Sequence, residues 1–437
     1  MKPTLPKGHP KLLHAWAFYD WANSVYSLTI VSAIFPIFYG ALFAIRGSSH
    51  IEFLGWELKS TALVSFVTAL AFLVVAIGSP LLSGIADYMG NKKRFMQFYC
   101  TLGSLSCIGL YWFSLENIYV GMFLYFLGVI GFWGSIVFYN SYLPDIADPE
   151  QHDALSAKGY ILGYLGSVLL LIFNLAMVMY PNVFGITGNE TEASMKAMKY
   201  SFITVGIWWL TFSQYSFYYL PRGHKGPKVT RDIIFNGYKE LRKVWVMLKA
   251  DKRLKRYLLA FFVFSMAVQT VMLVATYFGE QEIRWSGSGE KTTGLIVSIL
   301  LIQLVAAIGA KLTAKASSVF GNIPTLIIVN AIWLVICVIA YFITLPIHFY
   351  LTAVMVGLVM GGIQALGRST YSKFLPVTID TTSFFSFYDV AEKVGIVVGM
   401  LIYGFIDQIT GSMRNSVLFL VVFFAMGIVL LRRVPKK

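Results

Sequence analysis

Residues 382–406 read TSFFSFYDVAEKVGIVVGMLIYGFI. A helix of this length spans the roughly 30 Å hydrocarbon core of a bilayer, and nearly every position is apolar, aromatic or glycine. Yet Asp389, Glu392 and Lys393 stand inside it. A charge at the centre of a membrane helix costs about 2.5–3.5 kcal/mol on insertion scales, so three unpaired charges would cost on the order of 8–10 kcal/mol. Asp389 and Lys393 are spaced i, i+4 with the acid first, the order that pairs on one helix face. Glu392 has no local cation of its own and lies one turn from Asp389. It is therefore the leading candidate for a group that binds and releases a proton. Two other readings stay open. Lys393 receives a substrate carboxylate when it leaves Asp389, or all three charges fasten this helix to its neighbours near the cytoplasmic mouth.

The rest of the chain shares this character. Of 437 residues 57% are hydrophobic and 13% charged, where a soluble domain carries about a quarter charged residues; the mean hydropathy is +0.69. Runs of span length predict twelve membrane helices, at about 16–46, 58–86, 95–114, 118–143, 156–180, 200–220, 257–279, 292–314, 323–345, 347–371, 382–406 and 415–431. These runs are too long and too continuous for barrel strands. The start, MKPTLPKGHPKLLHAWAFYD, lacks an apolar core followed by a small-residue cleavage site, so no cleavable signal is expected. With the amino terminus in the cytoplasm, most of the 35 Lys and Arg fall on the cytoplasmic side. The positive-inside rule then accounts for the net charge of +14 without nucleic acid and places both termini in the cytoplasm. Cys100, Cys107 and Cys337 lie inside spans, so no disulfide framework is expected. The histidines show no metal-ligand spacing; neither a metal nor a cofactor is expected.

The longest charged interruption, PRGHKGPKVTRDIIFNGYKELRKVWVMLKADKRLKR at 221–256, divides the chain into six spans (1–220) and six (257–437). Within it Ile234, Tyr238, Leu241, Trp245 and Leu248 recur at helical spacing, which makes a basic amphipathic helix suited to an anionic membrane surface. The halves look related. YNSYLP (139–144) follows span 4 and YSKFLP (371–376) follows span 10, and each proline precedes a glycine at matching distance, Gly163 and Gly395. Duplicated halves around a midplane site are the architecture of many secondary transporters.

Other polar residues sit inside spans. In FYDWANSVYS (18–27), Asp20, Asn23 and Ser27 share one face, with Tyr26 on its flank. Asp20 either stabilises the helix start or belongs to a polar stripe facing a cavity. Tyr139 and Asn140 (span 4), Gln269 and Thr270 (span 7), Gln303 (span 8), and Gln364 and Arg368 (span 10) are either helix-to-helix glue or cavity groups. Arg368 either reaches the interface or pairs with Asp145 as a gate. Gly159, Gly163 and Gly166 in span 5 and Gly395 and Gly399 in span 11 have close-approach spacing, consistent with those two helices sliding on each other or simply packing tightly. Asn189-Glu-Thr is a glycosylation pattern on the outer side, expected by chance.

The loop SGIADYMGNKKR (83–94) resembles the signature loop of the major facilitator superfamily, with Asp87, Gly90, Lys92, Lys93 and Arg94 in place and Ser83 where a glycine is usual. Its second-half counterpart, GAKLTAKASSVFGN from Gly309, has Thr313 where an acid would stand. FYDWANSVYS, FYNSYLPDIA, GYILGYLG, VQTVMLVATYFG and GGIQALGRSTYSKFLP…FFSFYD resemble the vacuole-effluxer-like branch, from Phe18 to about Asp407. Members of that branch often carry Asp-Gly shortly before the Val-Gln-Thr of span 7; here Met266 and Ala267 stand there, so no coupling acid is carried over. The resemblance implies two pseudo-symmetric six-helix bundles rocking about a central cavity, an all-α membrane protein. It implies Asp87 and its basic neighbours as a gate that engages the other half. It also implies solute transport, with amino-acid efflux for fungal members.

The expectation is thus a secondary transporter, a monomer in the prokaryotic cytoplasmic membrane. Its substrate would be a small solute, an amino acid or small peptide, moved with protons or another coupling ion. A sugar or organic-anion permease, or a non-transporting receptor or scaffold, is the alternative. No phosphate loop, HExxH or GxSxG occurs, so an enzyme is not expected.

Overall fold

A computed structural model describes residues 5–48, 50–222 and 233–435. Twelve long helices account for the twelve predicted spans: α1 (Pro10–Arg46), α2 (Ser60–Met89), α3 (Lys92–Gly109), α4 (Ile118–Ser141), α5 (His152–Met179), α6 (Glu190–Tyr219), α7 (Lys252–Glu282), α8 (Ser288–Phe320), α9 (Asn322–Phe342), α10 (Pro346–Phe374), α11 (Thr381–Thr410) and α12 (Met413–Arg432). A shorter linker helix, Ile233–Ala250, precedes α7; the first part of the expected linker, 223–232, lies outside the described residues. Among the described residues nine of the twelve are long and apolar enough to cross a membrane on those grounds alone. The others are α3, α6 and α11, and α11 carries Asp389, Glu392 and Lys393.

Several helices run past the expected ends because local capping extends them. α6 begins at Glu190 because Asn189 and Glu192 form a reciprocal capping box, the Asn189 side chain accepting from the Glu192 N–H at 2.9 Å. α7 begins under Asp251, whose carboxylate accepts from the N–H groups of Arg253 and Leu254 at 2.8 and 2.9 Å. α1 begins at Pro10 instead of 16 and contains a π-helical stretch, Tyr26–Ala33, ahead of Pro36. Such widened turns recur at functional sites. Unforeseen in the sequence is a β-hairpin, His50–Phe53 with Trp56–Lys59, antiparallel with His50 opposite Lys59. Its turn residues Leu54 and Gly55 both have positive φ, a turn geometry usually signalled by Asn-Gly.

Two large apolar cores form among the described residues. One gathers residues from Leu12 to Leu220, around Trp16, Tyr139 and Trp209. The other gathers chiefly residues from Val244 to Val434, around Trp333, Phe384 and Phe424. The halves meet where α2 packs on α11 and where α5 packs on α8 and α10. Glycines set the closest crossings. A side chain at Gly131 of α4 would lie 2.5 Å from the Gly103 backbone of α3. The glycine pattern in α5 and α11 serves different partners from those expected. Gly163 and Gly166 of α5 face Ser24 and Trp21 of α1, whereas Gly395 and Gly399 of α11 face Met266 and Thr270 of α7. The two sets do not face each other, because α5 and α11 lie on separate inter-helix seams.

Gly131→Leu is expected to force α3 and α4 apart and lower stability by about 1–3 kcal/mol, read as a fall in Tm in detergent. Gly404→Ala, at a position in α11 with nothing within 4 Å, should leave Tm unlowered, since alanine is the better helix former.

Candidate functional site

Between the halves lies a cavity of about 260 Å³, lined by residues of α1, α2, α4, α5, α7, α8, α10 and α11. It is built from the predicted polar set together with a group of aromatics.

Its floor is organised by Arg368, 2% exposed. A buried guanidinium must find acceptors for its donors, and here they come from the other half. Nε donates to Ser156 Oγ at 2.9 Å, Nη2 to the Ser156 carbonyl at 3.0 Å, and Nη1 to Asn140 Oδ1 at 3.1 Å. The Asp20 carboxylate lies 3.5 Å from Nη2 and accepts from the Tyr139 hydroxyl at 2.8 Å. The guanidinium also sits over the rings of Tyr160 and Trp16, at 4.4 and 4.8 Å. Gly159 permits this arrangement, since a Cβ there would lie 2.5 Å from Asp20 Oδ2. Two readings of the sequence are corrected. Asp20 is several turns inside α1, not at its start, and Arg368 pairs with Asp20 instead of Asp145 or the interface. The helix begins at Pro10, which carries Asp20 inward to cavity depth.

The second charged group is the α11 trio. Lys393 Nζ lies 2.7 Å from Asp389 Oδ1 and 3.0 Å from Glu392 Oε2. It also sits 3.7 Å from the centroid of Trp133, on α4 of the other half. Gln269 of α7 donates to Glu392 Oε1 at 2.9 Å. Glu392 thus shares a cation that the sequence reading gave to Asp389 alone. The ammonium bends between the two acids because its long stem lets one head reach both. Lys393 and Asp389 are 1% and 2% exposed, whereas Glu392 lines the cavity.

Of the remaining predicted residues, Asn23, Tyr139, Asn140, Gln269, Gln303 and Gln364 line the cavity, and Gln364 Oε1 accepts from the Tyr164 hydroxyl at 2.8 Å. Tyr26 does not line it; its ring stacks on Phe132 within the first core. Thr270 is buried against Gly399. The sequence reading missed Ser156, Tyr160 and Tyr388, whose residue types are ordinary in membrane helices and whose roles come from their cavity-facing positions.

Outside the cavity lining, the halves are also joined by the loop that resembles a gate. Asp87, at the end of α2, accepts from the backbone N–H groups of Thr382 and Ser383 at 3.3 and 2.6 Å, capping the N-terminus of α11 across the interface between the halves. Gly90, with φ of 61°, then ends α2 in the left-handed conformation that turns the chain into α3. Lys92 is buried, donates to the Ser141 carbonyl and Thr381 Oγ1 at 3.0 Å each, and pairs with Asp145. Lys93 is also buried and donates to the Leu220 carbonyl at 2.7 Å; Arg94 is exposed.

A second lock was not foreseen. Asp153 of α5 accepts from Ser317 Oγ at 2.9 Å and Asn322 Nδ2 at 2.8 Å, and pairs with Lys373 at 2.6 Å. The facing ends of α8 and α9, which lack an acid at Thr313, therefore supply neutral donors, and the acid stands on α5. Thr313 itself packs against Gly362.

Two sets of six helices, a polar cavity with charges from both sets, and paired locks at one end define a major facilitator-type transporter. The chain belongs to the family described as "vacuole effluxer Atg22 like", whose profile matches residues 8–437. It is 30% identical to the uncharacterized MFS-type transporter YxiO of Bacillus subtilis, covering 99% of this chain and 96% of that one. It is 24% identical to autophagy-related protein 22 of Yarrowia lipolytica, over 85% of this chain and 75% of the relative. Among solved structures, the fucose:proton symporter FucP of E. coli superposes with a TM-score of 0.68 at 14% identity, covering 98% of each chain. A human organic anion transporter superposes with a TM-score of 0.68 at 10% identity, covering 96% and 99%. These likenesses establish the fold.

Asp20→Ala leaves the buried Arg368 without its carboxylate. The expected loss is about 3–5 kcal/mol of stability, read as a fall in Tm in detergent, with Asp20→Asn losing less. Asp87→Asn weakens the cap on α11, and accessibility of a cysteine placed at Ser383 is expected to rise several-fold relative to the same cysteine in the parent.

Proposed function

We propose that the protein is a proton-coupled carrier of a small zwitterionic solute, an amino acid or short peptide. The observation that carries this reading is the charge count around the cavity. Asp20, Asp389 and Glu392 face Arg368 and Lys393, three acids against two bases. An odd anion in a desolvated site calls for a cation, and a proton on Glu392 supplies one without taking up space. A zwitterion finds complementary groups in the same cavity, its carboxylate toward Arg368 and its ammonium toward Asp20 or Glu392. The volume suits a small solute, lying just below the roughly 300–1,000 Å³ of drug-sized sites.

In the proposed cycle the bundles 1–220 and 257–437 rock about this cavity. The Asp87 and Asp153 locks hold one end shut, and that end faces the cytoplasm, as the distribution of Lys and Arg indicates. Protonation of Glu392 would leave Lys393 to Asp389 alone and loosen the contact of α11 with Trp133. The family's description as an effluxer supports outward movement. We assign the protein, as a monomer with both termini inside, to a prokaryotic cytoplasmic membrane; the bacterial relative supports that assignment. A sugar permease is the second reading, favoured by five cavity amides (Asn23, Asn140, Gln269, Gln303, Gln364) and by Trp133.

The test is uptake of a labelled amino-acid panel into proteoliposomes, with and without an imposed pH gradient. One amino acid should accumulate only with the gradient. Glu392→Gln should abolish accumulation while sparing exchange. If that variant keeps both transport and its pH dependence, the proton role is wrong; if only sugars move, the zwitterion assignment fails.

A further inference from the structure

The linker helix has two faces, and the transport cycle above uses neither. The first is turned onto the protein. Val244 and Leu248 are buried, and a side chain at Gly237 would lie 2.7 Å from Ile85 of α2. This contact is half a turn from Asp87. From the same helix Lys243 reaches Asp380 at 3.0 Å, just ahead of α11. Asp380 holds the Lys243 ammonium above the ordinary lysine pKa through that hydrogen bond. Trp245 packs 5.3 Å from Phe387 of α11. The helix therefore touches both elements that the Asp87 cap joins.

The other side carries Phe235, Tyr238, Lys239, Arg242 and Lys249, with Trp245 at its edge, in one stripe at i, i+3, i+4, i+7, i+14 and i+10. All six are exposed, the aromatics by 58%, 54% and 42%. Lys239 sits 4.5 Å from the Phe235 ring and Lys249 4.8 Å from the Trp245 ring. The acid nearest the stripe, Glu240, is turned to Lys243. Large aromatics left bare to water are unfavourable, and a purely polar partner would not cover them. Aromatics interleaved with cations, with no facing acid among the described residues, match a surface with an apolar interior and anionic phosphates.

We propose that this stripe binds anionic phospholipid headgroups of the leaflet beside the gate, and that lipid bound there stabilises the closed gate. The direction follows from the contacts. The helix bridges Ile85 on α2 and Asp380 at the start of α11 only while α2 and α11 are together, so a ligand that fixes the helix there favours that state. The coupling runs through Lys243, which links the lipid-facing helix to the start of α11. The inference does not depend on which solute is carried.

The test uses full-length protein in nanodiscs of phosphatidylcholine, with or without phosphatidylglycerol, and spin labels on exposed Arg94→Cys and Ile379→Cys across the gate. In the parent, phosphatidylglycerol should raise the ratio of short to long distances roughly threefold or more. Lys239→Gln/Arg242→Gln/Lys249→Gln should remove that response. Lys243→Gln should still bind phosphatidylglycerol nanodiscs but lose the gate response, which separates binding from coupling. A parent gate indifferent to lipid charge overturns the proposal, as does a triple variant that responds like the parent. A Lys243→Gln gate that responds normally overturns the coupling. A stripe protected only by an acidic protein, not by anionic lipid, assigns it to a protein partner instead.

Discussion

The contact on which the rest of the site depends is the guanidinium of Arg368, held almost wholly by acceptors from the opposite half. A buried arginine cannot shed its charge, so its donors must be met wherever it goes. In this structure Asn140, Ser156 and Asp20 meet them. Gly159 is bare so that the carboxylate and the guanidinium can approach, and Tyr139 holds the carboxylate in place. Any movement that parts α10 from α4 and α5 must offer Arg368 other acceptors. In the proposed cycle a substrate carboxylate is the obvious supply, which ties occupancy of the cavity to the ability of the halves to separate.

The two locks at the gate solve one electrostatic problem in opposite ways. On one seam an acid at the end of α2 caps the N-terminus of α11, using the partial positive charge of a helix start. On the other seam the acid belongs to α5, and the facing ends of α8 and α9 contribute Ser317 and Asn322, with Lys373 from α10 adding a full charge. Duplicated halves need not keep the same residue at the same place. They need one acid per seam, and either side of the seam can carry it.

The α11 trio belongs to both the cavity and the interface. Glu392 faces the cavity, Lys393 lies behind it, and Trp133 reaches across from the other half to cover the ammonium. A change in charge at Glu392 is therefore felt at an inter-half contact. The proposed proton coupling would act through this contact, because an ion moves a conformational equilibrium only through contacts that differ between its states.

The sequence by itself determined the membrane helices, the pairing of Asp389 with Lys393, and the type of gate loop. Each is local. Span length is set by bilayer thickness, an i, i+4 pair by helix geometry, and the turn at Gly90 by backbone sterics. The tertiary structure alone decided which polar groups meet across the chain: Asp20 with Arg368, Asp153 with Lys373, and Glu392 with Gln269. It also decided that the glycines of α5 and α11 serve α1 and α7, that Tyr26 is core, and that the linker helix docks on α2. A polar residue in an apolar span announces that it must be satisfied, since hydrocarbon offers it nothing. Its partner is fixed by how twelve helices pack, and no spacing along the chain encodes that.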